Sequence, residues 1–265
     1  PREMPSNNPK YFDALKAQAI CARTYALKKM AGRKDKSFHV YGDHRDQVYG
    51  GLSAHNAMCN RAVEQTHGDV LKYEEQLATV FYHSSDGGIS ENAAHLWPAA
   101  NVAYLKSQKD IIGQTFACSH APNYRWQKMF TLQHLDSLFY LHTAKSMLKK
   151  PVTDTTRIHF SADVLRRSTS GRVADLKLTY SDTTIVLNDY AIRRFFMDRN
   201  GRSLPSTLFQ LSARGDSTLV IQGGGFGHGA GMCQWGALKM SEMGFKYYDI
   251  LVNHYFPGTY LEKVY

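Results

Sequence analysis

Cysteine is scarce in this chain, four in 265 residues, and Cys21, Cys59, Cys118 and Cys233 show no C-x-x-C spacing. That excludes a zinc ribbon and a thioredoxin-like redox motif; one or two disulfides fit the count, with their pairing open. No apolar run approaches the roughly 20 residues of a membrane span, which leaves membrane attachment only to a segment preceding Pro1. Because the first residue is Pro rather than Met, the lack of a signal peptide carries no information. No H-E-x-x-H, Gly-Lys-Ser/Thr or G-x-G-x-x-G in a βαβ unit is found, so the common zinc-protease and nucleotide loops are unsupported. Lys and Arg exceed Asp and Glu by 32 to 23, a net charge of +9, yet they are spread rather than clustered. A broad positive field suits a polyanion such as nucleic acid, acidic lipid or an anionic wall polymer. Without a basic cluster or a reading helix, nucleic acid is the least supported of these.

Glycine is concentrated. The segment Gly223–Gly236, GGGFGHGAGMCQWG, holds seven of the chain's 20 glycines. Glycine costs folding entropy, so such a run implies positive φ angles or a close approach of backbone to something. Two readings follow: a loop lining a ligand cleft, with His228 facing it, or a tight turn packed under a helix. Strand Ser217–Gln222 precedes the run and helix Cys233–Met243 follows, a passage that can present backbone N–H groups to a bound oxygen.

With 43% apolar residues, the chain can bury one large core or two small ones. A helix is predicted from Pro9 to about Met30, capped by Asn8, with Phe12, Leu15, Ala19, Ala22 and Ala26 as its buried stripe and Arg23 and Tyr25 beside it, facing a cleft. A second helix is read from Ser53 to His67. Strands Asp69–Tyr73 and Leu77–His83 follow, joined at Glu74-Glu75-Gln76, and the second ends in the polar loop His83-Ser-Ser-Asp-Gly-Gly88. Further on, Arg125–Thr131 reads extended and Leu132–His142 helical. Arg157–Phe160, Arg172–Tyr180 and Thr184–Leu187 read as strands, with a turn at Ser181-Asp182. A short helix through Phe196, a helix Tyr247–Tyr255 and a last strand Tyr260–Val264 complete the reading. Without regular βαβ alternation the class is α+β, with mixed, mainly antiparallel sheets and a cleft lined by strand-end loops. The chain reads as a single domain, 1–265, or as two lobes, with 1–124 plus 200–265 forming the cleft and 125–199 inserted.

Among the acids, Glu3 stands beside Met4 and Pro5, an apolar setting that raises a carboxyl pKa by desolvation and keeps a general acid protonated. On composition alone a solvated terminal glutamate is the simpler account. Asp86 and Glu91 are further candidates. His83, Cys118 and His120 offer metal-ligand types without metal-ligand spacing. His83-Ser84-Ser85-Asp86 are sequence neighbours, an improbable source of a Ser-His-Asp triad.

Glu3-Met-Pro-Ser, Ala14–Leu27 (ALKAQAICARTYAL), Gln47-Val-Tyr-Gly-Gly51, Phe81–Gly88 (FYHSSDGG), Leu204–Phe209 (LPSTLF) and Gly225–Ala237 (GFGHGAGMCQWGA) resemble, in order, the motifs of the stage II sporulation protein D family, which includes the amidase-enhancer LytB proteins. Arg125-Trp126 and Tyr255-Phe-Pro-Gly-Thr259 agree as well. The resemblance implies a peptidoglycan lytic transglycosylase of the cell envelope, outside the cytoplasm, with Glu3 as the one catalytic carboxylate. A hydrolase needs a second carboxylate. A transglycosylase instead uses the sugar's own 6-hydroxyl, already positioned by its ring, and leaves a 1,6-anhydromuramic end. On this reading His83, Ser84, Ser85 and the Gly87 and Gly88 amides hold the sugar, Gln47 and Tyr49 line the same groove, and His228, Gln234 and Trp235 form the opposite wall. Relatives that bind zinc carry cysteines just after the His-Ser-x-x-Gly-Gly loop. Ile89 and His95 stand there in this chain, which keeps His83 as the one clear candidate ligand of that set, so no cofactor is expected and zinc is a weakly supported alternative. The alternative is a binding module that holds glycan and stimulates a cell-wall amidase.

Overall fold

The computed structural model describes residues 4–33, 37–43, 45–51, 55–143, 160–181, 183–215 and 217–265. Glu3, Ser53 and Arg157 to His159 therefore lie outside the described residues, as does Asp182 of the expected turn.

The chain opens with a single 3-10 turn, Pro9–Tyr11, that runs into helix α1, Phe12–Ala31. Asn8 caps it by accepting the Lys10 N–H at 3.0 Å, and Pro9 supplies a preset first helical φ. The buried residues of α1 are Ala14, Leu15, Ala17, Gln18, Ile20, Cys21 and Thr24, which displaces the predicted stripe: only Leu15 of the five is buried. Three elements pack on α1 from different sides, so small residues are covered over much more than one narrow face. These are helix α2 (Ala57–Gln65), strand β1 (Asp69–Tyr73) and a helix near the C-terminus. Thr24 accepts the Leu71 N–H at 2.9 Å and donates to Ile20 O, satisfying a strand donor that would otherwise be buried against the helix.

Strand β2 is only Gln76–Leu77, reached from β1 through Glu74 and Glu75 at φ 47° and 61°, the pair of positive angles of a tight hairpin. The predicted strand Leu77–His83 is thus divided. Thr79 N–H turns to the Tyr104 hydroxyl, and pairing resumes only at β3, Tyr82–His83. A short helix α3 (Ala93–Leu96) and a two-rung hairpin, β4 (Ile111–Ile112) and β5 (Thr115–Phe116), follow.

Strand β6 (Trp126–Thr131) leads into α4 (Leu132–Thr143). Strands β7 (Phe160–Arg167), β8 (Val173–Tyr180) and β9 (Thr183–Asn188) form one antiparallel sheet, closed by α5 (Asp189–Phe195). The first of these strands, β7, extends seven residues beyond the predicted Arg157–Phe160, with register shifts around Arg166 that break its alternation. Strand β10 (Phe209–Arg214), which no sequence signal marked, pairs with β11 (Thr218–Gly223), and β11 pairs with β6. Then come β12 (Met232–Cys233), helix α6 (Gln234–Glu242), a π-helical turn at Asp249–Tyr255, and β13 (Tyr260–Lys263) against β1. The class is α+β, as expected.

Buried apolar side chains gather in two clusters. One joins α1, β1, α6 and the Asp249–Tyr255 turn, and so draws on both ends of the chain. The other, around Phe130, Leu176, Leu178, Phe196 and Ile221, fills the space between α4, α5 and the two larger sheets. Beside the first cluster, β12 lies parallel to β3, with Met232 opposite Tyr82 and Cys233 opposite His83. Gly231, at φ +72°, makes this pairing possible, since a Cβ there would stand 2.2 Å from Phe81 O. Gly231→Ala should therefore cost about 2 kcal/mol or more and lower Tm by at least ~4 °C. Gly113→Ala, at φ +62° with open space around it, should cost about half as much. Equal melting shifts in a thermal denaturation series would show that crowding at Gly231 is absent.

Candidate functional site

Two glycine-bearing loops are held together by their backbones. Ser85 N–H donates to Phe226 O at 3.0 Å and Phe226 N–H donates back to Ser85 O at 2.7 Å. Glu91 N–H donates to Gly229 O at 2.9 Å, and Trp235 N–H to Ser84 O at 3.1 Å. The loop 83–88 and the loop 223–236 are thus one continuous wall. At Ser85 and Phe226 the two loops meet backbone to backbone, where the expectation had them facing each other across a groove.

Beneath the wall lies Arg172, a fully buried guanidinium that donates to Asp86 O at 2.7 Å, Ile89 O at 2.9 Å and the Ser170 hydroxyl at 2.9 Å. Glu91, also buried, accepts from Ser168 and Ser170 beside it. The loop is braced by charge-assisted bonds where few apolar side chains are available.

The two histidines of the wall are neutral. His83 is buried, and burial, then His228 and Arg172, push its pKa well below the ordinary range. Its Nδ1 lies 3.0 Å from Ala230 O, so Nδ1 carries the proton and Nε2 is a bare acceptor without a partner. Burial and the positive field of Arg193 and Arg172 push His228 down to about 3. His228 Nδ1 accepts the Ala230 N–H at 3.1 Å, which puts the proton on Nε2, toward the Tyr82 backbone. The rings stand 5.5 Å apart, edge toward face. A neutral His228 brings no charge to stabilise an anion, which leaves positioning.

His228 lines a cleft of about 650 Å³ with Tyr25 of α1, Phe81, Tyr82 and Trp97. Phe81 and Trp97 stack at 4.3 Å with their planes 20° apart, and Trp97 meets the His228 ring at 5.1 Å. Lys28, Lys29, Arg33 and Arg45 rim the same cleft against the single acid Asp46. Asp46 accepts from Tyr25 Oη at 2.7 Å, Tyr41 N–H at 2.9 Å and Lys29 Nζ at 2.7 Å. Desolvation works to raise the Asp46 pKa, but these bonds outweigh it and hold the carboxyl below its usual range. The rim keeps a positive excess.

The predicted site residues divide. Tyr25 and His228 meet at this cleft. Gln47 stands behind it, accepting from Tyr82 Oη at 2.7 Å and donating to Ala22 O. His83 backs His228. Arg23 turns the other way, to Asp69 O at 2.8 Å, because residues two apart on an α-helix point about 200° apart. Tyr49 is 68% exposed, outside the cleft lining. Ser84 and Ser85 are buried in the loop junction, and Gln234 is buried against Gln18 at 3.0 Å. Trp235 sets its ring edge toward His120, 5.2 Å away. Gly88 N–H is taken by Asp86 Oδ1 at 2.7 Å and so does not reach a sugar. Gly87 and Gly88 line a separate hollow of about 980 Å³ with Gly223, Gly224, Trp126 and Arg167. Sequence reasoning missed Phe81, Tyr82 and Trp97. The first two lay inside a quoted motif, whereas Trp97 had only its apolar bulk before Pro98 as a signal.

Asp86, Asp110, Cys118 and Cys233, all buried, bring one donor atom each to within 4.8 Å of one another. They are the metal-ligand types that converge among the described residues. The cysteines are free thiols.

The family model for stage II sporulation protein matches residues 1–73, and one for a domain of unknown function matches residues 100–231. The chain is 30% identical to the amidase enhancer of Bacillus subtilis over 98% of its own length, and covers 39% of that protein. It is 28% identical to an uncharacterized protein of Brachyspira hyodysenteriae over 96% of its length, covering 62%. It is 27% identical to stage II sporulation protein D of Bacillus subtilis over 95% of its length, covering 69%. The chain spans less than two thirds of the first two relatives.

The unfolded chain protonates His228 near its ordinary pKa of 6.5, whereas the folded chain resists until about 3. Stability from the neutral ring is therefore complete above pH 6.5 and lost as pH falls toward 3. The unfolding free energy should fall by up to ~1.4 kcal/mol per pH unit for each such histidine, and His228→Gln should flatten the slope between pH 6.5 and 5. Parallel slopes in wild type and variant, measured by urea melts, would refute a neutral His228.

Proposed function

Because this chain belongs to the stage II sporulation protein D family, we propose that it is a peptidoglycan lytic transglycosylase acting outside the cytoplasm, in the cell envelope. The observation that carries the reading is convergence. Tyr25, Gln47, Phe81, Tyr82 and His228 come from four separate family motifs, and all of them line or back one cleft. Random motif resemblance would not collect their side chains around a single hollow.

The chemistry of that hollow suits a glycan with carboxylates. The Phe81–Trp97 stack offers flat apolar area for the C–H face of a sugar ring, and Trp97 is still 38% exposed. Cations at the rim match the lactyl and stem-peptide carboxylates of an anionic wall polymer. Both histidines are neutral, so neither is an acid at neutral pH, and the proton must come from a carboxyl group. Glu3 is assigned that role. Its protonated carboxyl donates to the glycosidic oxygen as the C1–O bond breaks. The resulting carboxylate then takes the proton of the 6-hydroxyl as O6 bonds to C1, which returns Glu3 to its acid form and closes the anhydro ring. The next residue, Met4, is buried in the larger apolar cluster, the kind of neighbour that keeps a carboxyl protonated.

A second reading is favoured by one relative's name. The amidase enhancer is 30% identical to this chain, and a glycan-holding module that stimulates a cell-wall amidase would use the same cleft.

Purified glycan strands, with and without stem peptides, should yield 1,6-anhydromuramic ends by mass spectrometry with the unaltered protein. Glu3→Gln should reduce that yield by at least ~100-fold. No product from the unaltered protein on either substrate would overturn the transglycosylase assignment, and retained glycan pull-down together with amidase stimulation would then establish the enhancer role. Trp97→Ala should weaken glycan binding about tenfold, ~1.4 kcal/mol, in a sedimentation assay under either reading. Unchanged binding would remove the aromatic cleft as the glycan site.

A further inference from the structure

We propose that Asp86, Asp110, Cys118 and Cys233 bind a structural zinc ion behind the wall of the cleft. Their four donor atoms lie within 4.8 Å of one another in a fully buried setting. A tetrahedral ion with two thiolate and two carboxylate ligands separates its donors by about 3.3–3.8 Å, so small side-chain shifts complete the shell. Two sulfur donors favour zinc over magnesium or calcium, which take oxygen.

A second observation points the same way. Asp86 is 0% exposed, and its Oδ1 is shared between the Gly88 N–H and the Cys118 thiol at 3.0 Å, while Oδ2 has no hydrogen-bond partner. A buried carboxylate oxygen left without a partner is costly, and a cation is the partner that satisfies it. Outside the four donors the structure supplies the supports a metal site uses. His254 Nε2 lies 2.7 Å from Asp110 Oδ1, Tyr255 Oη donates to Asp110 Oδ2 at 3.1 Å, and Gly236 N–H donates to Cys233 Sγ at 3.3 Å. Gly236 itself leaves the space, since a Cβ there would stand 2.6 Å from Asp110 Oδ2.

The ligands come from separated pieces of chain. Asp86 belongs to the loop after β3, Asp110 and Cys118 flank the β4–β5 hairpin, and Cys233 caps α6. An ion at this point ties the hairpin and the helix to both glycine loops. It lies among residues that do not line the Tyr25–Trp97 cleft, so its part is to stiffen the wall and it takes no share in proton transfer. Its ligands also differ from cysteines placed just after the His-Ser-x-x-Gly-Gly loop.

Protein isolated without chelator should carry about one zinc per chain by elemental analysis. Stripping and re-adding zinc at 100 times its Kd should shift Tm by about 5–10 °C. Cobalt(II) in place of zinc should give thiolate-to-metal charge-transfer absorption that Cys118→Ser and Cys233→Ser each weaken. Asp110→Asn should lower zinc affinity about 10-fold or more while keeping the cobalt–thiolate band. Metal-free protein whose melting is unmoved by zinc, cobalt spectra without a thiolate band, or a Cys118–Cys233 disulfide in the isolated protein would each overturn the proposal. None of these readouts depends on glycan cleavage.

Discussion

Two loops in backbone contact set the geometry of everything else at the cleft. Ser85 and Phe226 exchange both of their hydrogen bonds, and the close approach is possible because Gly225 has no side chain: a Cβ there would stand 2.6 Å from Ser85 O. This contact fixes β3 beside β12, and so fixes which ring each side chain presents. It also explains the glycine-rich run. The glycines yield space to the protein's own backbone, and a cleft forms at the edge of the sealed junction. Arg172 holds the underside of the same junction, where its guanidinium answers carbonyls of Asp86 and Ile89 that no regular strand would pair.

Sealing the junction decides the electrostatics. His83 and His228 are squeezed between apolar rings and the Arg172 charge, and both lose their protons. Lys28, Lys29, Arg33 and Arg45 stand at the rim, with Asp46 tying Lys29 and the Tyr25 hydroxyl to one carboxylate. The result is a hollow with a neutral, aromatic floor and a positive rim. On the proposed function, such a surface would hold an anionic polymer by its edge charges and its flat faces, and acid–base work would fall to Glu3.

Much of the fold was legible because it depends on local signals. Asn8 and Pro9 announce α1, and β8 alternates buried and half-buried positions over Val173–Tyr180 as a strand with one covered face must. Strand β10 was not legible. Phe-Gln-Leu-Ser-Ala-Arg carries little β propensity, and it is held by pairing with β11 across a turn the sequence does not mark strongly. The split of Leu77–His83 was hidden for a related reason, since the Tyr104 hydroxyl that claims Thr79 N–H lies 25 residues away. At the site, motifs marked the correct loops but not which side chains face out. In the two-residue strand β3, adjacent Tyr82 and His83 point to opposite faces, so a one-residue difference separates a cleft residue from a buried one.

That separation clarifies why so many polar residues of the motifs are not in the cleft. Ser84, Ser85, Asp86 and Gln234 are buried, and their polar atoms sit in the layer that supports the wall. A polar layer of this kind is expensive unless each atom is answered; Ser85 Oγ, Asp86 Oδ2 and Gln234 Oε1 have no hydrogen-bond partner, and of these Asp86 Oδ2 belongs to the cluster of two thiols and a second carboxylate. Packing alone does not account for two buried acids side by side. Burying two carboxyl groups this close together is a cost the fold accepts at the point where hairpin, helix and both loops meet. The economical explanation is that the four side chains are held together by something positive, and that rigidity of the wall, rather than catalysis, is what they supply to the cleft.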